Sequence, residues 1–365
     1  QAEKLKLPRS AFFRHCKMMK LRIFVLPLLL RLAYADLPFP DFMFFPADSR
    51  VGNVQQLPLE ALAARYDSKS ALIVGGTDGI GRGIAMTLAR SGACVTVVGH
   101  SPTKAAETLG NLTAVARHPG KQRFFAYAVD LLTVRGTLNF TKQLLGSGSR
   151  FDYAVLTVGV WPDREQPMTD DGIDKVIAAD VLARFLVTRE ILPSLNDGAR
   201  VMSVLGSTVR FSLPEVSVIK DLALGKRVRY SISEMLGTAG VLGDTWMQCM
   251  STYHPGNVTF IGTFPGIVAT NLIETSKTFP KWLRPWLARA QKLVAMSPEK
   301  SGLIHATILS SPNAVMRPVS YFNVKLEGRR TNPLAYDDSF QHWVWSFLED
   351  TVTRHNRSVS TQIML

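Results

Sequence analysis

The sequence predicts an α/β fold: a doubly wound, Rossmann-like parallel sheet in a single domain with an N-terminal arm and a C-terminal extension. Three observations carry this. Ala71-Leu72-Ile73-Val74 is a short apolar run suited to a strand covered on both faces. It enters a glycine-rich turn, Gly75-Gly76-Thr77-Asp78-Gly79-Ile80-Gly81. Behind the turn, Ile80, Ile84, Ala85, Leu88 and Ala89 recur at helical spacing, Gly92 stops that helix, and Cys94-Val95-Thr96-Val97-Val98 supplies a second strand.

Composition bounds the rest. With 365 residues, 46% of them hydrophobic and 19% charged, the chain is neither a disordered tail, nor a collagen, nor a coiled coil. Three cysteines (Cys16, Cys94, Cys249) are too few and too scattered for a disulfide framework or a zinc site, and no metal is expected. The net charge of +13 is uneven, because residues 1–35 hold eight basic side chains and only Glu3 as an acid. Without that segment the excess is +6.

Residues 1–35 are therefore read as a targeting or anchor segment. Met18 to Arg22, the apolar run Ile23 to Leu30 and Ala33-Tyr34-Ala35 have the order of a secretory signal: basic, apolar, small. Pro27 breaks the apolar run, which is too short for a full span. The expected address is membrane-associated, in the endoplasmic reticulum or secretory pathway. Mitochondrial import is the alternative, since the segment is also Arg-rich and acid-poor. Residues 36–69, rich in Pro and Phe, read as an extended lead-in with little helix or strand period. The domain proper is placed at 70–325, with 326–365 as the C-terminal extension.

The turn at 75–81 suits a dinucleotide. Glycines let the backbone come close to a pyrophosphate, and the helix that follows offers free N–H groups and its positive dipole end. Gly75, Gly79, Ile80 and Gly81 are the candidates. At the end of the second strand, Val98-Gly99-His100-Ser101 lacks the carboxylate that would hold an NAD ribose, and His100 is basic. Asp78 opposes a phosphate. The balance favours NADP, with NAD as the alternative.

These residues resemble the short-chain dehydrogenase/reductase family, whose T-G-x-x-x-G-x-G motif the turn matches with Val74 in place of Thr. Further matches follow in order over roughly residues 70–325. Asp130, in Ala128-Val129-Asp130-Leu131, is similar to the family's adenine-contacting Asp. Ala154 to Gly159 stands in the place of its N-N-A-G strand, which puts Thr157 and Gly159 beside the cofactor. Pro265-Gly266-Ile267-Val268-Ala269-Thr270 resembles its P-G-x-x-x-T loop next to the nicotinamide, making Pro265, Gly266 and Thr270 cofactor candidates. Residues 279–298 resemble the lid of membrane-associated members.

The resemblance implies a Tyr proton donor and a Lys one helical turn later, which lowers the Tyr pKa. Counting back from Pro265 places these positions on Met235 and Ala239, and neither can do that chemistry. The nearest substitute is Tyr230, among Lys226, Arg227 and Arg229; Ser207 falls within one residue of the family's Ser position. Ser207 and Tyr230 are thus the catalytic candidates. Asp180 stands where the family carries a structural Asn, and is read as an N–H anchor. The interval between Ser207 and Met235 is long and suggests a substrate wall or a partner surface.

Residues 277–292 carry five basic side chains and no acid, interleaved with Phe279, Trp282, Leu283, Trp286 and Leu287. This pattern fits a substrate lid that also touches a membrane surface. No nucleic-acid-binding motif accompanies the charge, so no nucleic-acid partner is expected. The expected function is an atypical NADP-dependent oxidoreductase acting on a hydrophobic carbonyl or alcohol, lipid- or retinoid-like, with a homo-oligomer allowed. The alternative is a catalytically inactive nucleotide-binding or structural subunit of a membrane complex.

Overall fold

Parallel strands buried on both faces need helices to cover them, and the chain alternates the two. The computed structural model describes residues 40–162, 167–210, 213–227, 230–254, 256–270 and 282–362. The expected targeting segment and much of the expected lid, including Lys277, Phe279 and Lys281, therefore lie outside the described residues. In chain order the elements are α1 (Leu59–Tyr66), β1 (Ser70–Val74), α2 (Gly79–Arg90), β2 (Cys94–Gly99), α3 (Pro102–Ala114), β3 (Phe124–Ala128) and α4 (Val134–Gly146). The second half brings β4 (Phe151–Leu156), α5 (Ala183–Ile191), β5 (Leu195–Val204), α6 (Val216–Ala223), α7 (Ile232–Tyr253) and β6 (Thr259–Thr263). It closes with α8 (Arg284–Val294), α9 (Pro298–Ser310), β7 (Val319–Phe322), β8 (Gly328–Arg329) and α10 (Asp338–Gln362).

The strands form one sheet in the order β3-β2-β1-β4-β5-β6-β7-β8. All pairs are parallel except β7–β8. The expected doubly wound sheet is thus present. It has eight strands rather than about seven, because the chain turns back after Leu326 (φ 65°) and adds a two-residue antiparallel edge. Strand order reverses direction between β1 and β4, which opens a crevice at their carboxyl ends.

Two apolar clusters fill the two sides of the sheet. On one side Leu72, Leu156, Val181, Phe185, Leu242 and Trp246 pack with Phe340, Val344 and Leu348 of α10. On the other, Ile73, Ile84, Leu88, Ile304 and Ile308 pack α2 and α9 onto the strands. The crossing of α2 and α9 is a backbone contact. A Cβ on Gly83 would lie 2.0 Å from Pro298 O, and one on Gly302 would lie 2.2 Å from Gly83 O.

Two expectations about the arms are corrected. The lead-in is not uniformly extended: α1 follows Pro58, which fixes φ for a helix start, and it buries Leu62, Ala63 and Tyr66 on one face. After a 3-10 turn at Asp41–Met43, residues 44–57 run as a strap that is broken by a turn over 48–52. Phe44 bridges Val209, Ala47 bridges Arg329 and Asn53 bridges Glu327, while Asp48 pairs with Arg317 at 2.8 Å. The C-terminal helix, expected over Ser339 to Val352, spans Asp338–Gln362; the sequence beyond Val352 is mostly polar and offers no apolar period to read. It lies across α5 and α7, with Trp345 edge-on to Phe185 and Arg189 paired to Glu349. The long interval after Ser207 holds α6. Among the described residues no helix is long and apolar enough to cross a membrane.

Candidate functional site

The β1–β4 crevice is built from the turn the sequence singled out. Gly75 has φ +86° and Gly79 φ +50°, conformations that β-carbons disfavour. The amides of Gly75 and Gly76 donate to Val98 O at 2.8 and 3.0 Å, so the chain doubles back over β2 before α2 begins. Across the crevice, Thr157 N and Oγ1 both donate to Val74 O, at 2.7 and 3.0 Å, tying the ends of β1 and β4 together. A Cβ on Gly81 would lie 2.3 Å from Gly75 O and 2.3 Å from Thr157 Oγ1. Three chain segments therefore meet where only glycine fits.

The donors at the start of α2 decide what could sit there. Asp78 caps the helix, accepting from Gly79 N at 2.8 Å. Its other oxygen is held by Lys104, which offsets the negative charge expected to oppose a phosphate. The amides of Ile80 and Gly81 belong to the first turn and have no helical acceptor behind them. Two open N–H groups over a bare glycine turn, at the positive end of a twelve-residue helix, fit the pyrophosphate of a dinucleotide. The loop after β6 closes on the same turn. The place a Cβ would take on Gly79 is 3.0 Å from Thr270 Cγ2, Gly266 takes φ +73°, and Ala269 and Ile267 are clamped to Met296. The loop that begins at Pro265-Gly266 thus brings Thr270 against Gly79. Gly159 and Asp130 are exposed at the carboxyl ends of β4 and β3. Asp130 turns the chain by accepting from Leu132 N at 2.9 Å. His100 is exposed just after β2, with no carboxylate at that strand end.

The catalytic candidates are placed differently from expectation. Ser207 and Tyr230 were expected to face a substrate, and both are buried with their hydroxyls committed. Ser207 Oγ donates to the Asp244 carboxylate on α7, pressed against bare Gly262 of β6. Tyr230, read as a residue among solvated arginines, instead packs in the core. Its hydroxyl donates to Asp174 Oδ2 at 3.1 Å. That same carboxylate receives the amides of Val176 and Ile177 and so starts the helix leading to α5. The structure does not bring the two hydroxyls to a common partner. Met235 and Ala239 are fully buried core residues of α7.

Two groups of buried charge remain, and of their members only Asp180 is anticipated in the sequence. Asp244 also accepts from Thr331 Oγ1, and its own backbone carbonyl accepts from Tyr321 Oη at 3.3 Å. Burial pushes its carboxyl up to about 7, although the Ser207 and Thr331 hydroxyls oppose this. It forms one end of a small cavity walled by Phe45 of the strap with Val209, Leu213 and Val241. Asp180 and Arg184 form the second group, in and just after a π turn (Ile177–Leu182) that leads into α5. Asp180 Oδ1 accepts from Val160 N at 2.9 Å, the anchoring role expected of it. Its carboxyl is also raised to about 7, by burial against the pull of Arg184. The signal for both was legible: a lone charged residue in an otherwise apolar helical run is buried and paired far more often than idle.

Asp244 sets a pH dependence. Its folded value lies above the unfolded 3.8, so between roughly pH 4 and 7 the folded chain holds the extra proton. That contribution is fully present at low pH and is lost as the pH rises through about 7. Relative to Asp244→Asn, the wild-type chain should therefore lose a few kcal/mol, in order of magnitude, between pH 5 and 8. Urea midpoints at the two pH values measure this, and parallel pH slopes for the two proteins would refute it.

On this geometry the comparisons with known proteins can be placed. The family description "short chain dehydrogenase" matches residues 69–213. Mouse polyprenol dehydrogenase is 26% identical over 227 residues, covering 58% of this chain and 66% of that protein. Human retinol dehydrogenase 14 is 24% identical over 310 residues, covering 81% of this chain and 90% of that protein. The chain spans 62% of an Emericella nidulans oxidoreductase, another of the curated relatives that it matches. In fold it is similar to a crystal structure of a short chain dehydrogenase from Burkholderia cenocepacia in complex with NADP. The TM-score is 0.53 at 19% identity, over 71% of this chain and 97% of that one.

Proposed function

We propose that this chain is a short-chain dehydrogenase/reductase, an NADP-dependent oxidoreductase acting on a hydrophobic, lipid- or retinoid-like carbonyl or alcohol. The observation that carries the reading is the Gly75–Gly81 turn: a cradle that a Cβ would fill, with the Ile80 and Gly81 amides open at the β1–β4 crevice. A bound nicotinamide dinucleotide supplies the hydride. The chain's part is to hold it, through the turn, Thr157 and the 265–270 loop. NADP is favoured because β2 ends without a carboxylate while His100 and Lys104 stand nearby in the chain. The substrate class is supported by relatives named for polyprenol and retinol, both long apolar alcohols.

The family's Tyr and Lys positions carry Met235 and Ala239, so the proton must be held elsewhere. Asp244 holds one near neutral pH, and Ser207 Oγ is hydrogen-bonded to it. We assign the pair this role in place of Tyr230, whose hydroxyl anchors Asp174. The burial of Met235 and Ala239 favours a second reading, a nucleotide-binding member of the family that does not turn over substrate. We further propose a membrane surface as the working location. Trp282 and Trp286 are 71% and 66% exposed, Arg289 stacks on Trp286, and residues 1–35 have targeting character.

Fluorescence titration with NADPH and NADH, followed by turnover of retinaldehyde and long-chain aldehydes, separates these readings. Micromolar NADPH binding with turnover that Asp244→Asn lowers by about 10²-fold is the expected result. Binding without any turnover selects the second reading, and no binding of either nucleotide overturns both.

A further inference from the structure

Arg184 is 2% exposed and sits not in the body of the core but under the mouth of the crevice. It lies one helical turn beyond Asp180, and its side chain reaches back to the carboxyl ends of β4 and β5. Nε and Nη2 donate to Val158 O at 2.9 and 2.6 Å. Nη1 donates to Ser203 Oγ and Val204 O, both at 2.9 Å. A guanidinium has five N–H groups, and these contacts use four. The remaining one is on Nη2. A Cβ on Gly159 would lie 3.4 Å from that nitrogen and 2.8 Å from Asp180 Oδ1. Gly159 is exposed and has no side chain, so a ligand lying on it would be separated from the guanidinium by backbone alone.

Stability does not account for a cation here. Burying a charge costs several kcal/mol, and apolar residues of similar volume fill such a place at lower cost. A dinucleotide whose pyrophosphate rests on the Gly75–Gly81 turn must run its other half along the same crevice, past Gly159. In that half the oxidised nicotinamide ring carries a positive charge and the reduced ring carries none.

We propose that Arg184 is the charge that sets which redox form of the nicotinamide dinucleotide the crevice holds, favouring the uncharged reduced form over the cationic oxidised one. This inference rests on the dinucleotide reading above. With alanine at 239, the cation comes from α5 rather than from α7. Asp180 is the only acid within its immediate surroundings among the contacts described, and burial leaves it incompletely ionised at neutral pH, so it cancels the guanidinium only in part.

The test is equilibrium binding, with no turnover needed. NADPH and NADP+ are titrated separately into the wild-type chain, Arg184→Gln and Asp180→Asn at pH 7, with thermal unfolding recorded for each. The expected preference of the wild type for NADPH falls about fivefold in Arg184→Gln, and rises about threefold in Asp180→Asn, which keeps the bond to Val160 N and removes the counter-charge. A folded Arg184→Gln with the wild-type preference overturns the proposal. Should Arg184→Gln fail to fold, Asp180→Asn decides alone, and an unchanged preference there overturns it. Wild-type chain that binds neither form refutes the dinucleotide reading itself, and the inference with it.

Discussion

Alanine at position 81 lowers dinucleotide affinity at least about thirtyfold, which is about 2 kcal/mol. Its methyl group would stand 2.3 Å from both Gly75 O and Thr157 Oγ1, and the first of these is backbone in a turn already fixed by two bonds to Val98 O. The turn can make room only by opening toward the crevice, which is where the pyrophosphate must lie. Gly79 provides the internal comparison. Its backbone is left-handed, but an added methyl would meet only the side chain of Thr270, at 3.0 Å. Gly79→Ala should thus cost mainly the strain of its positive φ, on the order of 1–2 kcal/mol in stability, with a smaller loss of binding. Titration with NADPH ranks the two variants. Wild-type affinity in a folded Gly81→Ala would remove the turn from the binding site.

Gly302→Ala should be strongly destabilising. α2 and α9 touch backbone to backbone, with no room for a β-carbon on Gly83 or Gly302. The added Cβ would lie 2.2 Å from Gly83 O and 2.5 Å from its carbonyl carbon, and neither atom can swing aside. The helices must separate, and Ile84, Leu88, Ile304 and Ile308 lose packing together. The expected loss is about 3 kcal/mol or more, at the upper end of overpacking costs. Gly110, in α3, is the opposite case. Nothing lies within 4 Å of the position its Cβ would take, so Gly110→Ala should gain about 0.5–1 kcal/mol through helix propensity. Denaturant midpoints for the two variants should therefore move in opposite directions. A Gly302→Ala midpoint equal to wild type would mean that the helices do not cross here.

The nucleotide half was legible because its signals are local. Buried parallel strands read as apolar runs, and a turn that tolerates no Cβ declares itself by glycine. Gly75 to Gly81, Thr157 and Thr270 accordingly stand together. What was missed depends on pairing at a distance. The Ser207 hydroxyl looked available because nothing in Val204-Leu205-Gly206-Ser207 announces an acid 37 residues later on another helix. Tyr230 was misread for the same reason: its neighbours in sequence are basic, but its partner in space is Asp174. α1 was concealed by the Pro- and Phe-rich composition around it, although Leu59, Leu62, Ala63 and Tyr66 already had helical spacing. Arg184 could have been found, since an arginine four residues after Asp180 within Ile177 to Val187 has no solvent face to occupy.

The strap also shapes the order of events in folding. It joins residues 44–53 to residues near 209 and 327, so its contacts close the longest loops in the domain for only a few backbone bonds. Loop closure of that length must be paid before those bonds reward it, which places strap docking after the barrier rather than at it. Weakening it, for example at the Asp48–Arg317 pair, then leaves the refolding rate nearly unchanged and shortens the lifetime of the native state. The strap is thus a latch on unfolding: the lifetime of the native state depends on a segment that contributes little to how the chain reaches its fold.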